Sequence, residues 1–185
     1  MFNCRMHFFS KYYLTDKFDI KEINKLDKKT IVIYRNYKEN FNNLSLLKEF
    51  KNFCQKRNLK IFVSNNFKLA LNLRLDGVYI PSFNKSLSHL NYSFYKNFTT
   101  IGSAHNIKEI RIKEKQKVDQ IVLSSLFKKN KNYLGLYRFR TLKNLTKKKV
   151  IVLGGITKNN KKQIKLVNCN SFAGISYFKK KAPTN

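Results

Sequence analysis

With 185 residues, 42% of them apolar and 14% aromatic, the chain carries enough hydrophobic material for a substantial core, which excludes a disordered composition. Its 39 Lys and Arg against 10 Asp and Glu give a net charge of +29, a field that favours any polyanion and so selects none. No apolar run reaches membrane-spanning length, and three scattered cysteines without metal-ligand spacing argue against a disulfide scaffold or a zinc site.

In chain order, eight short apolar segments bounded by polar or turn residues read as strands: 12–15, 30–34, 60–63, 77–80, 99–103, 120–123, 150–153 and 171–175. Runs such as Val150 to Leu153 suit strands covered on both faces. Between the strands the apolar spacing shifts to three and four. A first helix of about two turns fits 20–26. Leu44, Leu47, Phe50, Phe53 and Cys54 line one face of a helix over 44–57, and Asn58 is placed to stop it. Asn106, with Glu109 three residues on, has the form of a capping box. Leu136, Phe139, Leu142 and Leu145 mark the next helix, and Ile164 and Val167 the one after strand seven.

Strands that alternate with helices cannot be joined by tight hairpins, so they pair in parallel through right-handed crossovers. Eight such units predict an α/β fold: a compact (β/α)8 TIM barrel, one domain over 1–185 with its core at about 12–178. The first helix is short and the last truncated, because little chain follows strand eight. The resulting gap leaves room for a second copy, as a homo-oligomer. Residues 1–10 hold a single Arg and no long apolar core, so no signal peptide is read there. With its unpaired cysteines the chain is expected in the cytoplasm, with no membrane partner.

The charge is read as composition. Lys and Asn are abundant throughout, Trp is absent and Gly is scarce, the bias of a genome poor in G and C. Neither an aromatic RNP segment nor a GXXG loop occurs, so nucleic acid is expected only through nonspecific charge. Position adds meaning: Lys128, Lys129, Lys131, Lys158, Lys161, Lys162 and residues 179–181 follow strands six to eight, and Arg35, Lys38 and Lys85 follow strands two and four. They fall on the C-terminal face, where barrel sites sit, and suit a phosphorylated small molecule; the bland alternative is loop solvation. Gly154 and Gly155 end strand seven, and 157–160 read as a helix opening. Strand, double glycine and helix N-terminus together suit an anion, with no side chain barring the backbone. His105, at the end of strand five, is a candidate general acid–base or a hydrogen-bonded packing residue. Cys54 is placed in the core, Cys169 at the barrel bottom, and His7 and His89 receive no role.

Several segments resemble the thiamine phosphate synthase and thiazole tautomerase family. Tyr13-Leu14-Thr15-Asp16 resembles its opening strand, Asp76-Gly77-Val78-Tyr79-Ile80 its fourth, and Ser103-Ala104-His105-Asn106 its Ser-x-His segment. Leu123-Ser124-Ser125-Leu126-Phe127, Leu153-Gly154-Gly155-Ile156 and Phe172-Ala173-Gly174-Ile175-Ser176 follow in the family's order. The resemblance implies a transferase joining an aminopyrimidine pyrophosphate to a thiazole phosphate, with Mg²⁺ assisting departure of pyrophosphate. Carried over, Arg35 and Ser103 contact pyrophosphate, and the backbones of Gly154–Gly155 and of Gly174, Ile175 and Ser176 cradle the thiazole phosphate. The sister activity, thiazole tautomerisation, would use His105; a degenerate barrel that only binds a phosphorylated metabolite is the third reading. The departures concern the metal. The family's two magnesium-binding Asp positions fall at Asn65 and Asn84, weak candidates as ligands, and Ile33 and Tyr37 replace the Gln and Lys flanking the strand-two Arg. Lys129 or Lys131 is a candidate to supply the missing positive charge to pyrophosphate.

Overall fold

The computed structural model describes residues 10–36 and 44–178. Tyr37, Lys38, Lys179–Lys181, Cys4 and His7 lie outside them. Eight strands close a parallel barrel in sequence order: β1 (Ser10–Thr15), β2 (Thr30–Tyr34), β3 (Lys60–Ser64), β4 (Gly77–Ile80), β5 (Thr99–Ala104), β6 (Gln120–Ser124), β7 (Lys149–Leu153) and β8 (Ser171–Gly174). All eight expected strands are present, and β8 closes on β1 with Ser10 opposite Ser171.

Alternation divides the strands between two cores. Tyr12, Leu14, Ile33, Phe62, Tyr79, Ile101, Val122, Ile151 and Ala173 fill the barrel interior, with every strand contributing. Their neighbours, such as Tyr13, Val32, Val63, Val78 and Val152, face the outer layer. Near the bottom of the interior the Tyr12 hydroxyl donates to Gln120 Oε1 at 2.9 Å, so a buried phenol is not left unpaired.

The outer layer is uneven. Helix α1 (Ile20–Ile23) is one turn, shorter than the expected two, because Lys25 and Leu26 donate only three residues back, to Glu22 O and Ile23 O, and Thr30 starts the next strand. Helix α2 (Leu44–Lys56) buries Leu47, Phe50 and Cys54, and Asn58 ends it in the left-handed region at φ 55°. Helix α3 (Phe67–Asn72) has six residues, too few to declare a face in the sequence. The β4–β5 crossover has only the 3₁₀ turn Ser88–Asn91. Helices α4 (Ile107–Lys115) and α5 (Gly135–Asn144) follow β5 and β6. After β7 comes a 3₁₀ helix, Lys161–Val167, and after β8 the described chain makes only a turn.

Candidate functional site

The C-terminal rim is built by the inward-facing residue at the top of each strand. Extending the alternation past Ile33, Phe62, Ile101 and Val122 brings Arg35, Ser64, Ser103 and Ser124 to the upper interior. Ser103 is 4% exposed and Ser124 7%. Arg35 is half-buried, its N–H donating to Thr15 O at 2.7 Å, which fixes the main chain where β2 ends. Ser64 and Ser124 were not singled out as site residues; counting by two along their strands finds both.

The loops after β7 and β8 lie side by side. Val152 is opposite Phe172, so two residues on Gly154 is beside Gly174. Among the described residues, no protein group accepts from the N–H of Gly154, Gly155, Ile156, Ile175 or Ser176. Two adjoining loops of the rim therefore carry five main-chain donors without a protein acceptor, an arrangement suited to an anion. The helix expected to open at 157–160 does not form. Asn160 intervenes: its Oδ1 accepts from the Thr157 N–H at 2.8 Å and its Nδ2 donates to Gly155 O at 2.8 Å. The chain then enters a seven-residue 3₁₀ helix, so the donors belong to the loops and not to an α-helix terminus.

The glycines also serve a second purpose beside the one expected. Gly154 has φ 111° and Gly155 φ 72°, and a Cβ on Gly154 would lie 2.2 Å from Ser125 Oγ and 2.7 Å from Ser125 Cα. One on Gly155 would meet Lys128 N at 2.7 Å. The space beside both glycines is filled by the loop after β6, which bonds back through Phe127 N to Gly154 O at 2.9 Å. Absence of a side chain admits a neighbouring loop, and that loop carries the exposed Lys129 and Lys131.

Charge gathers on the same side. Lys158, Lys161, Lys162, Lys165 and Tyr177 line a cavity of about 390 Å³ between the 3₁₀ helix and the turn after β8. Lys161 Nζ lies 5.8 Å from the Tyr177 ring centroid and 6.0 Å from that of Phe172, within cation–π range.

His105 stands where α4 begins. Its Nδ1 is 2.8 Å from Glu109 Oε2, which also accepts the His105 N–H at 2.8 Å. The forward half of the expected capping box is present, the Glu109 N–H donating to Asn106 Oδ1 at 3.0 Å, while the Glu109 carboxylate takes the N–H of His105, one residue before the cap. His89, in contrast, is buried, stacked on Phe67 at 4.6 Å and bonded through Nε2 to Gln116 O.

Asn65 and Asn84 do come together, but as partners of each other, Asn84 Nδ2 donating to Asn65 Oδ1 at 2.6 Å. Among the described residues no group of three His, Cys, Asp or Glu side chains could hold a metal ion. Asp76, of the Asp-Gly-Val segment, lies at the barrel bottom and accepts from the Ile61 N–H at 2.9 Å. The residues at the two family magnesium positions therefore do not fit that ion. Cys54 and Cys169 are buried free thiols, and burial pushes them up to about 12 and about 11, away from nucleophilic use. No helix among the described residues is long and apolar enough to cross a membrane.

The family described as thiamine monophosphate synthase matches residues 20–178. A putative thiamine-phosphate synthase 2 of Aquifex aeolicus is 32% identical over 143 residues, covering 72% of this chain and 73% of that one. A thiamine-phosphate synthase of Methanococcus vannielii is 26% identical over 119 residues, covering 62% of this chain and 57% of its own. Among solved structures, thiamine phosphate pyrophosphorylase from Pyrococcus furiosus aligns with a TM-score of 0.76 at 20% identity, over 90% of this chain and 85% of that one. At that identity the structural likeness concerns the fold.

Proposed function

The chain belongs to the thiamine monophosphate synthase family, transferases of thiamine biosynthesis, and from that premise we propose that it joins an aminopyrimidine pyrophosphate to a thiazole phosphate. The observation that supports this reading is the pair of adjoining loops after β7 and β8, whose five N–H groups have no protein acceptor among the described residues. They suit the thiazole phosphate, with the lysines of the neighbouring cavity supplying counter-charge.

In the proposed reaction the pyrimidine methylene–oxygen bond breaks, its electron pair leaving with pyrophosphate. The thiazole nitrogen donates its lone pair to the methylene carbon and forms the new carbon–nitrogen bond. This chain's contribution is to hold the departing charge: Arg35 from the end of β2, Ser103 from the end of β5, and Lys129 and Lys131 from the loop after β6. Incubation of the purified protein with both substrates, in Mg²⁺ and separately in EDTA, tests the proposal; thiamine phosphate should form, and no product at high enzyme in either buffer overturns it.

One observation favours a second reading. Glu109 holds His105 through Nδ1, the arrangement that orients an imidazole for proton transfer at Nε2. A thiazole tautomerase assay on wild type and His105→Ala separates the readings. Binding of thiazole phosphate without turnover in either assay leaves the non-catalytic barrel. The partners are phosphorylated small molecules in each case, and the compartment proposed is the cytoplasm.

A further inference from the structure

Asn65 ends β3 in the left-handed region at φ 60°, its N–H donating to Tyr79 O at 2.8 Å. Asn84 reaches it from the β4–β5 crossover. The amide orientations are fixed by chemistry. The Ser86 N–H donates to Asn84 Oδ1 at 2.8 Å, so the atom facing Asn65 must be Nδ2, and the Asn65 atom that accepts it must be oxygen. Both side-chain oxygens are thereby occupied by protein donors.

Behind Asn84 stands a cation already in place. Lys113, fully buried on α4, donates from Nζ to Asn84 O at 2.8 Å, to Pro81 O at 2.8 Å and to Gln116 Oε1 at 2.9 Å. Gln116 Nε2 adds a second donor on Asn84 O at 3.1 Å and one on Ser86 O at 2.8 Å. The Lys113 stem lies where a side chain at position 102 would go: a Cβ on Gly102 would be 2.6 Å from Lys113 Cδ. A hard divalent cation needs oxygen ligands carrying negative charge to offset its dehydration. Here it would find two neutral amides, each with its oxygen engaged, and an ammonium bonded to the adjoining carbonyl.

We infer that the Asn65–Asn84 pair is a metal-free clasp, fastened from behind by Lys113, and that this barrel binds its pyrophosphate-bearing ligand without a divalent ion. The pyrophosphate half of the inference rests on the function proposed above; the metal half does not.

The test has two arms on the intact protein. In the first, Mn²⁺ is titrated without other ligand and followed by electron paramagnetic resonance; wild type should bind none, and Asn65→Asp/Asn84→Asp should bind Mn²⁺ at least about tenfold tighter. Where the double variant does not fold, Asn84→Asp takes its place. In the second, inorganic pyrophosphate is titrated by calorimetry in EDTA and in Mg²⁺; its affinity should agree within about twofold. Wild-type Mn²⁺ binding that Asn84→Ala abolishes, or an about tenfold loss of pyrophosphate affinity in EDTA, overturns the inference. If pyrophosphate binds in neither buffer, the proposed function and the pyrophosphate half fall together, and the Mn²⁺ arm alone decides the metal half.

Discussion

His105 and Glu109 are bonded twice, once through the imidazole Nδ1 and once through the main-chain N–H, both at 2.8 Å to the same carboxylate oxygen. A single carboxylate therefore both ties down the main chain entering α4 and sets the imidazole at the rim. The two duties can be separated by substitution. Glu109→Gln keeps the length and the capping form but loses the charge that holds Nδ1, so helix stability should change by less than about 1 kcal/mol. If His105 moves protons, tautomerase turnover in Glu109→Gln should fall by about tenfold or more, and His105→Ala should remove it. Unchanged turnover in His105→Ala would leave the histidine a packing residue at the top of β5.

Gly154 and Gly174 face each other across the β7–β8 pair, yet they should respond in opposite ways to alanine. A Cβ at Gly154 has φ 111° against it and Ser125 atoms at 2.2 to 2.8 Å; one at Gly174 meets only Tyr177 Cβ at 3.6 Å, ordinary contact. Gly154→Ala should cost roughly 2–4 kcal/mol, a drop of several degrees in Tm at this size. Gly174→Ala should melt within a degree or two of wild type. Equal melting temperatures for the two variants would mean that the loop after β6 does not press on Gly154 as described.

That contrast bears on how far the sequence can be read. The strands were legible because a buried parallel strand is a local signal: Val150 to Leu153 is apolar whatever it packs against. The cap of α4 was legible for the same reason, since Asn106 and Glu109 are one turn apart. The crowding at Gly154 was not, because the atoms that exclude a side chain belong to Ser125, on the preceding strand's loop. Asn65 and Asn84 are 19 residues apart, and each alone reads as a lost carboxylate; only the closed barrel turns two losses into one bond. The helix expected at 157 failed because Asn160, able to bond both Thr157 and Gly155, offers the backbone a competing turn.

Lys113 is the most consequential buried charge among the described residues, and its removal should loosen the β4–β5 crossover. Lys113→Met keeps the stem over Gly102, leaves Pro81 O and Gln116 Oε1 without their donor, and leaves Asn84 O with Gln116 Nε2 alone. The expected cost is about 3 kcal/mol, read by urea unfolding at neutral pH. Hydrogen exchange should quicken first at the Ser86 and Tyr92 amides, which lie in the segment it fastens.

The same residue predicts a pH dependence. Burial pulls Lys113 down from its ordinary value to about 8, with the nearby Glu109 carboxylate opposing. Between about 8 and 10.5 the unfolded chain holds a proton that the folded chain has released, so the unfolded state binds more protons and this residue's contribution to stability rises with pH across that window. As pH falls toward 8 the contribution is lost, and below it the penalty for a buried ammonium is constant. Wild type should therefore gain stability relative to Lys113→Met between pH 7.5 and 9.5 by about 1–2 kcal/mol, a comparison in which the general easing of lysine repulsion cancels. Parallel stability profiles for the two proteins would show that three acceptors hold the proton on Lys113 throughout.

Arg35 carries the clearest prediction for the proposed transfer. It follows directly on β2, half-buried, and its main-chain bond to Thr15 O survives any replacement of the side chain except proline. Arg35→Ala should reduce thiamine phosphate formation by about a hundredfold or more, the scale of losing one charged donor to a departing oxyanion. Arg35→Lys should recover only part of it, because an ammonium supplies the charge without the planar fork that grips two phosphate oxygens. The effect should fall on kcat more than on KM, since the negative charge on the bridging oxygen grows as the bond breaks. Full activity in both variants would remove Arg35 from the site and leave the departing pyrophosphate to Ser103 and the lysines of the β6 loop.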